Sequence, residues 1–159
     1  GSIMTRFGFS DFLPALLLLN PTLIFYKAGE LTLEEYFALE KPLTKDILIE
    51  ITIPFSKGKS IFKTQKKTYA DFPMLNMAMI KVEGQYKIAV GARPGRAIVV
   101  KDTEGILAGG INEKSVEEFS TFVKKNVPTA GNMRGSAEYR SHLAGVLAGE
   151  SNGAGNAPR

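Results

Sequence analysis

The chain has no cysteine and no tryptophan, and its only histidine is His142. Without cysteine it holds neither a disulfide framework nor a thiolate-bound iron–sulfur cluster. One histidine also argues against a zinc site built from protein ligands alone. Long apolar runs are missing too. The most apolar stretch, Phe12 to Leu19, contains Pro14 and falls far short of the roughly 20 residues of a bilayer span. A polar segment with Arg6 and Asp11 precedes it and no small-residue cleavage site follows, so it does not read as a secretory signal. No G-x-G-x-x-G follows a strand pattern, no G-x-x-x-x-G-K-[ST] occurs, and no nucleophile–base–acid set is legible. A reducing cytoplasm is the expected setting.

What is present is globular. Of 159 residues, 44% are hydrophobic and 23% charged, enough for one ordinary domain or two small ones. A net charge of +4 favours solubility but is far below the density of a nucleic-acid arm. The opening Gly1-Ser2-Ile3-Met4 reads either as a cloning remnant or as a native loop. The closing residues, rich in glycine and asparagine with almost nothing apolar, read as a disordered tail.

Between the ends the periodicity changes once. Ser10 and Asp11 are helix caps, with Pro14 in the first turn and Leu13, Leu16 and Leu17 on one face, closed by Asn20-Pro21. Thr22 to Tyr26 is β-rich, Lys27 to Glu30 reads as a turn, and Thr32 with Glu35 is a capping box for a helix through Leu39. Ile47, Ile49, Ile51 and Ile53 alternate as a half-buried strand ending at Pro54. The loop Ser56 to Ser60 is the candidate boundary. Extended segments follow at Ile61 to Thr68, Met74 to Val82, Tyr86 to Val90 and Ala97 to Val100, with turns at Glu83-Gly84 and Pro94-Gly95. Ser115 with Glu118 suggests a second capping box, opening a helix with Val116, Phe119, Phe122 and Val123 on its apolar stripe. A last helix from Ser136 would bury Tyr139, Leu143, Val146 and Leu147. Strands first and helices second give an α+β class, a small antiparallel sheet covered on one side by helices.

Candidate chemistry is sparse. Gly109-Gly110 reads as a linker turn ahead of an anion nest, and His142 as a solvated helical residue. Lys57, Lys59, Lys63, Lys66 and Lys67 form the densest charge run, flanked by Phe55, Phe62 and Tyr69. They suit the solvated face of an edge strand, where lysine discourages aggregation; the competing reading is a strip for phosphates with aromatic stacking partners.

Four motifs in order carry a resemblance. In G-S-I-M-T-R-F-G-F-S-D-F-L-P-A-L, the residues Gly1, Ile3, Thr5, Ser10, Asp11, Pro14, Ala15 and Leu16 match, without a gap, a pattern of G-G-N-I, threonine or alanine, then S-D-x-x-P-A-L. K-A-G-E-L-T-L-E-E-Y-F with L-T-K-D-I-L-I-E-I-T-I-P, then F-K-T-Q-K-K-T-Y-A-D-F-P-M-L-N-M-A, then R-G-S-A-E-Y-R follow. Together they resemble the C-terminal half of the FAD-binding subunit of molybdenum hydroxylases, the family of xanthine, carbon monoxide and nicotinate dehydrogenases. Ser2 departs from the family's asparagine.

The resemblance implies the end of an FAD-binding α/β lobe over residues 1–57. A flavoprotein C-terminal domain, a three-stranded antiparallel sheet packed on helices, would follow over 58–149, then a disordered tail over 150–159. It implies FAD as cofactor, with Gly1 and Ser2 near the diphosphate, Thr5 and Asp11 on the ribityl–phosphate region, and the Leu48 main chain at the adenine or flavin edge. Lys63 would sit beside the isoalloxazine ring, and Tyr69 and Asp71 on a loop bordering it. A glycine backbone, an acceptor carboxylate and a lysine near the ring each suit such a ligand. No catalytic or metal-ligating residue is expected. The implied partners are an iron–sulfur subunit, a molybdopterin-binding subunit and NAD or another electron acceptor, with no nucleic acid and no membrane. The family's N-terminal lobe, which carries its main glycine-rich diphosphate loop, has no counterpart here, so weak or no FAD binding and no activity are expected of this chain by itself. The alternative is a non-catalytic module that docks on partner subunits.

Overall fold

Helix α2 (Phe12–Leu19) sets the layout, because Leu13, Pro14, Leu16 and Leu17 give it one buried face and both sheets pack around it. In this computed structural model the described residues are 1–55, 57–82 and 84–154. A single turn, α1 (Ser2–Thr5), precedes α2. The turn at Asn20, in left-handed conformation with φ 41°, sends the chain into β1 (Thr22–Phe25), then β2 (Gly29–Thr32) and α3 (Leu33–Ala38). The Thr32/Glu35 capping box forms as the sequence indicates. Lys27 and Ala28 make the turn, but Gly29 and Glu30 already belong to β2. Strand β3 (Leu48–Thr52) completes an antiparallel sheet of order β2-β1-β3.

Two arginines lock the end of α3. Arg6 reaches the Leu39 carbonyl at 2.5 Å and lies over the Tyr36 ring, while Arg96 donates to the Phe37 and Leu39 carbonyls, both at 2.7 Å. Cations at the carbonyl end of a helix satisfy orphan acceptors and oppose its dipole.

The isoleucine strand departs from expectation. Ile47, Ile49, Ile51 and Ile53 are 39–67% exposed, because β3 is the edge of its sheet and the core inside β1 is filled by Leu23 and Phe25. The alternation marks the strand, but its apolar side chains lie largely uncovered.

A second antiparallel sheet runs β4 (Lys59–Gln65), β5 (Leu75–Val82), β6 (Gln85–Gly91) and β7 (Ile98–Lys101) in that order. Its class is the one the sequence indicated, α+β with antiparallel sheets and helices. This sheet has four strands where three were expected, because both Lys59–Gln65 and Ile98–Lys101 pair onto the central hairpin. One face carries Met77, Met79, Ile88, Val90 and Val100 against α4 (Glu113–Asn126) and α5 (Ala137–Ala154). The other face is covered as well, by α2. Ala89 joins the α2 core, and Gly91 lies so close that a Cβ there would stand 2.9 Å from Pro14 Cγ. Small residues at this crossing let helix and sheet meet.

Three helical details differ from the sequence reading. Helix α4 is capped by Asn112 with Ser115 at the third position, so Ser115 closes the capping box instead of opening one. In α5 the buried face runs through Arg140, Leu143, Ala144, Leu147 and Ala148, leaving Tyr139 and Val146 exposed at 41% and 39%. That spacing is helical, but its first member is an arginine, which apolar patterning passes over. Finally, α5 continues through Glu150 to Ala154 with Ser151 buried, so the first part of the expected tail is helical. Residues 155–159, and the boundary residue Ser56, lie outside the described residues.

Candidate functional site

The loop entering α2 places a carboxylate against β4 and β5 of the second sheet. Ser10 Oγ accepts from the N–H groups of Phe12 and Leu13, each at 3.3 Å. The serine therefore caps the helix, and the Asp11 carboxylate is free to bond elsewhere. Three side chains meet it: Lys66 Nζ at 2.7 Å, Asn76 Nδ2 at 2.8 Å and Thr64 Oγ1 at 3.2 Å. Thr64 and Asn76 are direct cross-strand partners of β4 and β5. Asn76 is wholly buried; its amide also donates to the Ser10 carbonyl at 3.2 Å, and its Oδ1 finds no partner.

Burial pushes the Asp11 carboxyl upward. The hydrogen bond from Asn76, the bond and charge of Lys66, and the Thr64 hydroxyl outweigh that, holding it below the ordinary aspartate value. Asp11 is thus an ionised, oriented acceptor with part of its surface open to solvent.

The other residues singled out by sequence are not all gathered around it; those of the β4–β5 loop lie on a segment that touches this one. Gly1 is the N-cap of α1, and Gly1 and Ser2 are both exposed. The exposed Thr5 hydroxyl donates to the Gly1 carbonyl at 2.8 Å. Tyr69 is fully exposed on the β4–β5 loop, and Asp71 on the same loop caps the Phe72 N–H at 2.7 Å. This loop leans on the loop before α2: the Phe9 and Phe72 rings lie 5.6 Å apart, and Arg134 is ion-paired with Asp71 at 3.7 Å. The Asp11 and Tyr69 segments are therefore neighbours. Lys63 belongs elsewhere. It pairs in register with Met77 on the α5 side of β4 and makes a 3.5 Å ion pair with Glu150. Leu48 stands in the other sheet, half-buried and opposite Phe25.

Lys63 and Lys66 of the lysine run are thus held in ion pairs. His142 is exposed on α5, and Gly110 takes a positive φ of 107° in a plain turn. Among the described residues no three-residue His/Cys/Asp/Glu group could hold a metal, and no helix is long and apolar enough to cross a membrane. Two open depressions, one lined by Pro42, Leu43 and Asp46 and the other by Ile106, Lys114 and Phe122, share no residue with the Asp11 group.

Sequence reasoning missed Thr64, Lys66, Asn76 and Arg134. Asn76 carried a usable signal: it is the one polar residue in L-N-M-A-M-I, and a polar group inside an apolar strand needs a partner.

Residues 60–151 match the family model of the CO dehydrogenase flavoprotein C-terminal domain. The chain belongs to that family. No curated protein sequence matches it. Solved structures extend the likeness beyond the flavoprotein C-terminal domain to 97% of the chain. A carbon monoxide dehydrogenase from Hydrogenophaga pseudoflava, described as lacking the Mo-pyranopterin moiety of its molybdenum cofactor, superposes with TM-score 0.81 at 18% identity, over 60% of its own length. Quinoline 2-oxidoreductase from Pseudomonas putida 86 gives 0.76 at 16% identity, over 95% of this chain and 57% of that one. Reconstituted CO dehydrogenase from Oligotropha carboxidovorans gives 0.72 at 17%, over 95% and 58%. At these identities the likeness is one of fold. The chain spans about 60% of the structures it resembles.

Proposed function

We propose that the chain is the C-terminal half of an FAD-binding subunit in a molybdenum hydroxylase, passing electrons from iron–sulfur clusters through FAD to NAD or another acceptor. The observation that supports this most is the reach of the fold match. It runs past the family domain at 60–151 into the first 59 residues, where the S-D-x-x-P-A-L motif lies. The residues present fit a flavin dinucleotide. An ionised carboxylate fixed by three donors suits ligand hydroxyls, and exposed rings at Phe7, Phe72 and Tyr69 suit an aromatic ligand.

Bound FAD would supply the redox group. What this chain's residues contribute is binding and orientation. Asp11 accepts from ribityl hydroxyls, with Asn76 and Lys66 keeping it charged and aimed. Thr5 offers a hydroxyl to the same region, Gly1 and Ser2 a backbone approach to the diphosphate, and the Leu48 main chain the edge of the ring or adenine. Tyr69 and Asp71 border the ring, and Lys63 adds positive charge that favours its anionic reduced form only by leaving Glu150 and passing the open edge of β4. The iron–sulfur and molybdopterin subunits are the partners, in a cytoplasmic complex.

A second reading, a docking module without a flavin site of its own, is favoured by the exposed isoleucines of β3. Co-production with iron–sulfur and molybdopterin subunits and the lobe completing the flavoprotein separates the two. Electron transfer to an acceptor dye with stoichiometric flavin supports the first; an assembled complex with no flavin supports the second. FAD titrated into this chain alone is expected to bind weakly or not at all, and a purified sample already yellow with near-equal flavin would overturn that expectation.

A further inference from the structure

The motif R-G-S-A-E-Y-R places two arginines, Arg134 and Arg140, six positions apart, and nothing in the proposed flavin contacts uses either. Their surroundings share one target. Arg140, only 1% exposed, donates from Nε to the Met74 carbonyl at 2.8 Å, from Nη1 to the carbonyls of Ala130 and Gly135 at 2.8 and 2.7 Å, and from Nη2 to Asn132 Oδ1 at 2.6 Å. Met74 closes the β4–β5 loop, its own N–H donating to the Gln65 carbonyl at 2.7 Å. Arg140 therefore fastens the 130–135 turn to the base of that loop.

Arg134 sits on the turn so fastened. Its N–H donates to the same Asn132 Oδ1 at 2.9 Å, so one amide oxygen serves both arginines. Its guanidinium lies 5.2 Å from the Phe72 ring centroid and 5.5 Å from that of Phe9, and pairs with Asp71. A planar guanidinium suits this setting: it stacks on two rings and still reaches a carboxylate, which an ammonium does not. Phe9 lies two residues before Asp11, and Phe72 three after Tyr69.

We propose that Arg134 and Arg140 form a two-point bracket for the 66–74 loop, Arg140 at its base and Arg134 at its tip, fixing Tyr69 and Asp71 relative to Asp11. They are positioning residues. The flavin consequence rests on the function proposed above; the bracket itself does not.

Hydrogen exchange on the 159-residue chain tests the bracket, with β5 and α4 amides as internal controls. Arg134 is only partly buried, so Arg134→Ala is expected to leave the melting temperature nearly unchanged. It should speed exchange across residues 67–73 by about tenfold. Arg134→Lys keeps the charge and loses the stacking, and should fall between. Unchanged exchange at 67–73 in Arg134→Ala, or equal acceleration in the controls, overturns the bracket. FAD titration of the same variants in the complete complex reads the second half. Weaker binding in Arg134→Ala, partly restored in Arg134→Lys, supports positioning at the flavin. Faster loop exchange with unchanged FAD affinity keeps the bracket and overturns its link to the flavin site.

Discussion

Asn76 and Asp11 meet at 2.8 Å, a wholly buried amide on β5 holding a partly exposed carboxylate at the head of α2. The pair joins the two halves of the chain at the point where the site is assigned. Removing the amide leaves Asp11 without one donor and a small void beside Gly91. Asn76→Ala is expected to lower stability by about 1–3 kcal/mol, read from urea unfolding. Asn76→Asp puts a second carboxylate against the first, so it should be the more damaging at neutral pH and recover as the solution is acidified. Equal loss at all pH would mean that packing, not the contact with Asp11, sets the cost.

The sign of the Asp11 shift gives a pH test. Its folded pKa lies below the ordinary aspartate value, so its stabilising contribution is fully present above about pH 4. That contribution drains away as the pH falls through the lower folded value. Lys66→Met removes the ion pair and should narrow that window. Stability curves of the parent and Lys66→Met proteins should differ at pH 6 and converge toward pH 2; curves that stay parallel throughout would sink the assignment.

Arg140→Leu should be costly. It strips donors from the carbonyls of Met74, Ala130 and Gly135 and is expected to lose about 2–4 kcal/mol. Burial, then the charge of Arg134, lowers the Arg140 pKa from the usual arginine value, yet an arginine stays protonated. The loss should therefore not vary between pH 5 and 9 in equilibrium unfolding.

The exposed isoleucines predict behaviour in isolation. An uncovered apolar edge strand invites strand-to-strand association. Ile49→Lys with Ile53→Lys should suppress light scattering on heating while leaving the unfolding midpoint near that of the parent, since both side chains already face solvent. Unaltered scattering would place the association elsewhere.

Much of the fold was legible because its signals are local. Pro14 and the three leucines mark α2, Thr32 and Glu35 mark α3, and the apolar segments mark the second sheet. What the sequence concealed is long-range. Whether Ile49 is covered depends on which strand becomes an edge, and β-alternation is the same either way. Arg140 was hidden because an arginine satisfied by carbonyls looks like a surface residue until its partners are known. At the site, Asp11 was readable from one continuous motif. Thr64, Lys66 and Asn76 reach Asp11 only through strand pairing, at separations above 50 residues in the bonds of Thr64 and Asn76.

The start of α4 is where sequence and structure make opposite predictions about single residues. Spacing pointed to Ser115 as cap and Glu118 as its partner, whereas Asn112 Oδ1 accepts from the Ser115 N–H at 3.0 Å and Ser115 Oγ from the Asn112 N–H at 2.9 Å. Asn112→Ala should therefore lose about 1 kcal/mol. Glu118 makes only an exposed 3.8 Å contact with Lys114, so Glu118→Ala should lose no more than about 0.5 kcal/mol. Chemical denaturation of the two variants decides the matter, and the reverse order of losses would move the helix start to Val116.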